Sequence, residues 1–153
     1  MTRLSFDEYF LSLAFVAALR SEDPNRRVGA VCADKQNHIL ATGYNGFAPG
    51  VDGSAVLAGP GDMRRKLIYH AELNALLLCP KGSVHTMAIT TCCCEGCARH
   101  AGAHGVKRII YGWPYVKEDG IGVLKFYGIE VIRIIPATLN PYFDGVFNET
   151  PTN

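Results

Sequence analysis

The sequence predicts an α/β fold in three layers: a mixed five-stranded sheet with helices on both faces. An amphipathic helix opens the chain and is followed by two extended segments around a tight turn. Helices and strands then alternate through residue 135. Apolar residues make up 48% of 153 positions, enough for the core of one domain without covalent staples.

Ser5 followed by Glu8 has the form of a capping box, and Phe6, Tyr9, Phe10, Leu13, Phe15, Val16 and Ala17 recur at helical spacing, so a helix is expected over 6 to 20. Pro24 disfavours a helical residue before it and ends that run. VGAVCADK and HILATGYNG, parted by Gln36 and Asn37, predict an antiparallel hairpin over 28 to 34 and 38 to 44. From Phe47 to Asp62 glycine and proline mark a long loop, of a length that in compact domains is often functional. LIYHAELNALLLC predicts a buried helix stopped by Pro80 and Gly82, and VHTMAITT a strand. CEGCARHAGAHG predicts a helix closed by Gly105, and VKRIIYGW a strand. EDGIGVLKFYG predicts a glycine-weakened helix, and IEVIRII the last strand. The domain is expected over 1–135, with 136–153 a C-terminal tail that is partly docked through its aromatics and frayed over its last six residues.

Fifteen basic and fourteen acidic side chains leave a formal charge of +1, which gives no general electrostatic reason to hold a long nucleic-acid backbone. A small charged ligand fits that balance better. The opening MTRLSFDEYF lacks the basic, apolar and small-residue order of a signal peptide, and no apolar run approaches the ~20 residues of a membrane span. A soluble cytoplasmic protein is expected, without membrane partners. Six cysteines in such a chain argue for metal rather than disulfides, because the cytosol keeps thiols reduced.

Four of the six lie in TTCCCEGC, as Cys92, Cys93, Cys94 and Cys97. Cys94 and Cys97 open a predicted helix, where a spacing of three puts both on one face and the positive end of the helix favours thiolate. A catalytic zinc takes three protein ligands and leaves the fourth position to water, so one histidine is needed. His70, at the start of another helix in YHAELNA, is the best placed. Glu72, two positions on, points away from His70 and suits a proton shuttle rather than a ligand. A rival site uses local residues alone: Cys94, Cys97, His100 and His104 could close a four-ligand structural zinc in a noncatalytic binding module. It leaves Glu72 without a role and breaks a helix that the apolar pattern carries to Gly105. His100 and His104, with His38 and His85, are expected at the surface.

The string His70, Ala71, Glu72 followed by Cys94, Glu95, Gly96, Cys97 resembles the zinc-dependent deaminases of cytosine and adenine, whose signature is H-x-E and then P-C-x-x-C. Within that superfamily, DPNRRVGAV, GYNGF, HAELNAL, the cysteine pair, GVKRIIY and GIEVIRI follow the order of the deoxycytidylate (dCMP) deaminases over residues 5 to 135. The resemblance implies a cytidine-deaminase-like fold. The tail and part of the stretch 48 to 66 have no clear counterpart in that pattern. Cys93 stands where the family carries proline before its first zinc cysteine. Cys94 and Cys97 remain the expected pair, since neither Cys92 nor Cys93 keeps the two-residue gap to Cys97, and these two are expected to be ordinary apolar or half-buried residues.

The resemblance implies hydrolysis of dCMP to dUMP and ammonia, supplying dUMP for thymidylate synthesis, with metal ligands His70, Cys94 and Cys97 and catalytic Glu72. The alternatives are another cytosine nucleoside or nucleotide deaminase, acting on dCTP or cytidine, and the structural-zinc module. Nucleotide contact, with substrate or effector, is expected at Arg26, Tyr44, Asn45, Gly46, Ala71 and Tyr115. Among the cations, Arg26 is the first choice for the phosphate, ahead of Arg27 and the run Arg64, Arg65, Lys66. The family resemblance also implies a homo-oligomer, often a hexamer, activated by dCTP with Mg2+ and inhibited by dTTP. Residues 46 to 69 contain neither Cys nor His, so one Zn2+ per chain is expected, without the second structural zinc of some relatives.

Overall fold

The computed structural model describes residues 3–115 and 119–143. The first helix, α1 (Phe6–Ala18), opens on the expected box: the Glu8 backbone N–H donates to Ser5 Oγ at 3.2 Å and the Ser5 backbone N–H donates to Glu8 Oε2 at 2.8 Å. Strands β1 (Gly29–Ala33) and β2 (Ile39–Tyr44) form the expected antiparallel hairpin, turned at Asn37 with a φ of 66°. Then come α2 (Ser54–Ala58), α3 (Gly61–Leu67), α4 (Ala71–Leu76), β3 (Thr86–Thr91), α5 (Glu95–His104), β4 (Arg108–Trp113), α6 (Ile121–Phe126) and β5 (Glu130–Arg133). A 3-10 turn over Pro136–Leu139 and α7 (Asn140–Phe143) end the described chain.

The five strands run in the order β2-β1-β3-β4-β5. β1 is antiparallel to both β2 and β3, whereas β3, β4 and β5 are mutually parallel, so the sheet is mixed. Alternate side chains feed two cores. Ala30, Cys32, Met87, Ile89 and Ile109 pack with residues of α4, α5 and α6 on one face. Val31, Ala33, Ala88 and Ile110 pack with Phe10, Leu11 and Ala14 of α1 on the other, which makes three layers. Leu139 and Phe143 join the α1 face, while the last six residues lie outside the described part.

Two glycines let the layers close. A Cβ on Gly29 would stand 1.9 Å from the Ala14 carbonyl oxygen, and one on Gly43 would stand 2.4 Å from the Ala71 carbonyl oxygen. Only glycine lets α1 and α4 lie this close to the hairpin.

Two expectations need correction. The stretch 47 to 62, read as loop, carries α2 and the start of α3. Neither helix buries a residue, so no apolar stripe announced them. The helix expected over 67 to 79 is only α4, and Leu77 and Leu78 after it are exposed. Its missing first turn is drawn into a two-residue bridge, where the Tyr69 N–H donates to the Gly46 carbonyl at 2.8 Å and the Gly46 N–H returns a bond at 3.1 Å.

Candidate metal centre

The sheet gathers the sequence-distant candidates at one edge. β2 runs parallel to β3 because both oppose β1, so the ends of β2, β3 and β4 and the start of β1 lie together. Residues 44 to 46, 92 to 97, 113 to 115 and 26 to 28 therefore meet outside the strand ends, where open α/β sheets hold ligands.

His70 occupies the N-cap position of α4 in extended conformation, with a side chain that caps nothing. Its Nδ1 lies 3.6 Å from Cys94 Sγ and 3.4 Å from Cys97 Sγ. Cys94 is the N-cap of α5, and its sulfur accepts from the Cys97 backbone N–H at 3.5 Å. The three ligand atoms lie within 4.8 Å of one another, the one such group of three among the described residues. With Zn–S near 2.3 Å and Zn–N near 2.0–2.1 Å, tetrahedral geometry sets a sulfur-to-nitrogen edge of about 3.6 Å. One nitrogen and two sulfurs at these separations fit zinc.

The electrostatics fit as well. A hydrogen bond from the Cys97 thiol, helped by His70, lowers Cys94 to about 3, so Cys94 is a thiolate. The same hydrogen bond and burial push the Cys97 thiol up. Contact with Cys94 raises the His70 imidazole above its ordinary range, against the opposing effect of burial. Glu72, in the first turn of α4, is 4% exposed, and its burial pushes the carboxyl up while His70 and the Cys97 thiol pull it down. A buried carboxyl beside the ligand atoms, with its affinity for protons raised, is suited to carrying one.

The nucleotide candidates are placed as follows. Arg26 is exposed, its guanidinium 5.6 Å from the centroid of the half-buried Tyr115 ring. Tyr44 lies under Arg20 at 5.7 Å, and its carbonyl accepts from Asn74 Nδ2 at 2.7 Å. Asn45 is 7% exposed, and its amide already serves the chain: Oδ1 accepts from Val28 N at 2.8 Å and Nδ2 donates to Arg26 O at 2.9 Å. Gly46 pairs with Tyr69 and so sets the approach to His70, and Ala71 is fully buried against β2.

Cys92 and Cys93 are buried, at 3% and 2% exposure. A hydrogen bond with Cys92, together with burial, pushes the Cys93 thiol up, and among the described residues Cys93 lies outside the converging group of three. The rival local site is not assembled. His104 sits near the far end of α5, about 15 Å along the helix from Cys94, and its Nε2 faces the Cys79 carbonyl at 3.2 Å. His38 and His100 are exposed, as expected, but His85 and His104 are half-buried.

The sequence reading missed Asp23, which is 9% exposed and accepts hydrogen bonds from the Asn25 N–H at 2.8 Å and the Arg64 guanidinium at 2.9 Å. Its signal is present in Asp-Pro-Asn, the composition of a turn in which Asp bonds its own backbone two residues on.

Residues 4–113 match the family model of the cytidine and deoxycytidylate deaminase zinc-binding region. The chain is 37% identical over 107 residues to a probable deoxycytidylate deaminase of Caenorhabditis elegans, which covers 67% of this chain and 54% of that protein. It is 35% identical over 125 residues to the deoxycytidylate deaminase of Mycobacterium phage D29, covering 72% of this chain and 97% of the phage protein. The chain thus spans about half of the nematode relative and nearly all of the phage one. Among solved structures, the dCMP deaminase of cyanophage S-TIM5 in complex with dCMP and dUMP superposes with a TM-score of 0.71 at 27% identity, over 88% of this chain and 100% of that one. Among the described residues, no helix is long and apolar enough to cross a membrane. With the paired H-x-E and C-x-x-C elements, the matched fold and these relatives, the chain belongs to the cytidine and deoxycytidylate deaminase family.

Proposed function

We propose that this chain hydrolyses dCMP to dUMP and ammonia, supplying dUMP for thymidylate synthesis. The observation that carries the proposal is the buried Glu72 carboxyl beside the converging His70 Nδ1, Cys94 Sγ and Cys97 Sγ, in a chain of this family. His70, Cys94 and Cys97 hold one Zn2+. The metal's contribution when bound is Lewis acidity, which lowers the pKa of water from about 15.7 towards about 7.

Glu72 manages the protons. Its carboxylate accepts one from the attacking water and passes it to ring N3, then takes the remaining proton from the new C4 hydroxyl and delivers it to the amino group as the C4–N bond breaks. Water oxygen ends on C4, and the nitrogen leaves as ammonia. Burial raises the Glu72 carboxyl and so suits it to both halves of the transfer.

Arg26 supplies the cation for the 5′-phosphate, steadied over Tyr115, with Tyr44, Asn45, Gly46 and Ala71 forming the wall beside the nucleotide. The near-neutral charge of +1 supports a small substrate over a long nucleic acid. Residues 1–135 form the deaminase unit and 136–153 its tail. None of the six cysteines is paired in a disulfide, which supports a reducing cytoplasmic setting. Family resemblance alone supports a homohexamer activated by dCTP with Mg2+ and inhibited by dTTP; light scattering and turnover with each nucleotide test that part. Ammonia release from dCMP, cytidine, dCTP and a tRNA anticodon arm tests the substrate. The proposal expects dCMP to be turned over best, and preference for any of the others overturns it.

A further inference from the structure

The turn that carries Arg26 is held from two sides by a buried polar network. Asn45 at the end of β2 grips it through Val28 N, Arg26 O and, at 3.3 Å, Asp23 Oδ2. Ser21 ties the same strand end to the turn, its Oγ donating to the Asn45 carbonyl at 2.8 Å and accepting from the Asp23 N–H at 3.2 Å. The Asp23 carboxylate in turn accepts from the backbone N–H groups of Asn25 at 2.8 Å and Arg26 at 3.3 Å. Asp23 therefore fixes the direction in which Arg26 leaves the backbone.

The remaining donor to Asp23 comes from α3. Arg64 Nη1 donates to Asp23 Oδ1 at 2.9 Å, with side chains 14% and 10% exposed. The Asn25 amide, with its oxygen turned inward, meets the same guanidinium. Arg65 and Lys66 beside it are exposed, and Arg65 pairs locally with Asp62. The basic run thus splits: one member is spent inside the protein and two face solvent. An ion pair this sheltered is costly to break, because removing one partner strands the other charge.

We propose that Arg64 is a positioning residue for nucleotide phosphate recognition: through Asp23 it locks the turn that aims Arg26, so the α3 segment sets affinity for the 5′-phosphate without touching it. This rests on the reading of Arg26 as the phosphate cation. It predicts that loosening Arg64 affects binding of the phosphorylated nucleotide and spares the chemical step. A small displacement of a charged clamp is enough to cost tenfold or more.

The test is steady-state kinetics on the zinc-loaded enzyme with dCMP and deoxycytidine, together with calorimetric Kd values for dUMP, which do not depend on turnover. Arg64→Met should raise the KM for dCMP and the Kd for dUMP by roughly tenfold. The kcat on dCMP and the kcat/KM on deoxycytidine should stay within about twofold of wild type, and Arg64→Lys should recover part of the loss. Because Arg64→Met strands the Asp23 charge, the double variant Asp23→Asn, Arg64→Met is measured beside it. Recovery of Tm with KM still raised supports positioning. Recovery of both, an unchanged KM in Arg64→Met, or equal losses on both substrates overturns it. Arg26→Ala separates the two readings. If it leaves the KM for dCMP unchanged, the phosphate reading falls and the inference with it. If it raises KM while Arg64→Met does not, the inference alone falls.

Discussion

Gly43 of β2 lies directly beneath Ala71 of α4: a Cβ at Gly43 would stand 2.4 Å from the Ala71 carbonyl oxygen and 2.6 Å from the Ala75 nitrogen. Both obstructing atoms are backbone, so no side-chain rotation relieves the clash. Gly43→Ala therefore has to push α4 off the sheet, and with it His70 at the N-cap and Glu72 in the first turn. Overpacking of this kind costs about 1–3 kcal/mol. Urea unfolding should show that loss, and zinc content measured on the same sample should fall as the three ligand atoms separate.

The proposed zinc site divides the cysteine cluster into Cys94 and Cys97, which converge on His70, and the buried Cys92 and Cys93. Cys94→Ser and Cys97→Ser should each lose zinc, because each removes one of three converging donors. Cys93→Ser should keep it, with some loss of stability from a hydroxyl placed at 2% exposure among apolar neighbours. The double change His100→Ala, His104→Ala should also keep zinc. Metal analysis of the four variants decides, and depletion in the last would favour the local four-ligand site.

Zinc uptake should be coupled to protons in a defined direction. Cys94, lowered to about 3, is already ionised in the metal-free protein near neutral pH. Cys97 is held as a thiol and His70 is raised towards its protonated form, so both must give up protons to bind metal. Affinity should therefore rise with pH from the slightly acid range upward, with protons released on binding. Calorimetry in buffers of different ionisation enthalpy measures the release; affinity independent of pH would contradict it.

The helices with chemical ends were legible in the sequence. Ser5 and Glu8 opened α1 as read, and α5 is capped by Cys94 at its start and by Gly105, with a φ of 90°, at its end. The converging trio His70, Cys94 and Cys97 was legible for the same reason: spacing on a helix and position at its start are local properties. What stayed hidden is nonlocal. α2 and α3 bury nothing, so they left no apolar period. The bridge from Gly46 to Tyr69 shortened α4 through a partner 23 residues away in sequence, from position 46 to 69. The bonds of the Asn45 amide to Val28 N and Arg26 O were hidden for the same reason, because only the folded hairpin brings those residues near. Arg64 read as one of three equivalent cations until burial separated it from Arg65 and Lys66.

The most direct measurement compares wild type with Glu72→Gln, recording dCMP turnover and bound zinc on the same samples. Glutamine keeps the shape of the side chain and removes its capacity to accept and return a proton. The account predicts one zinc per chain in both proteins and a loss of turnover in the variant of about 10²–10⁴-fold or more. Turnover at the wild-type rate in Glu72→Gln, or zinc-loaded wild type that releases no ammonia from dCMP, would contradict it.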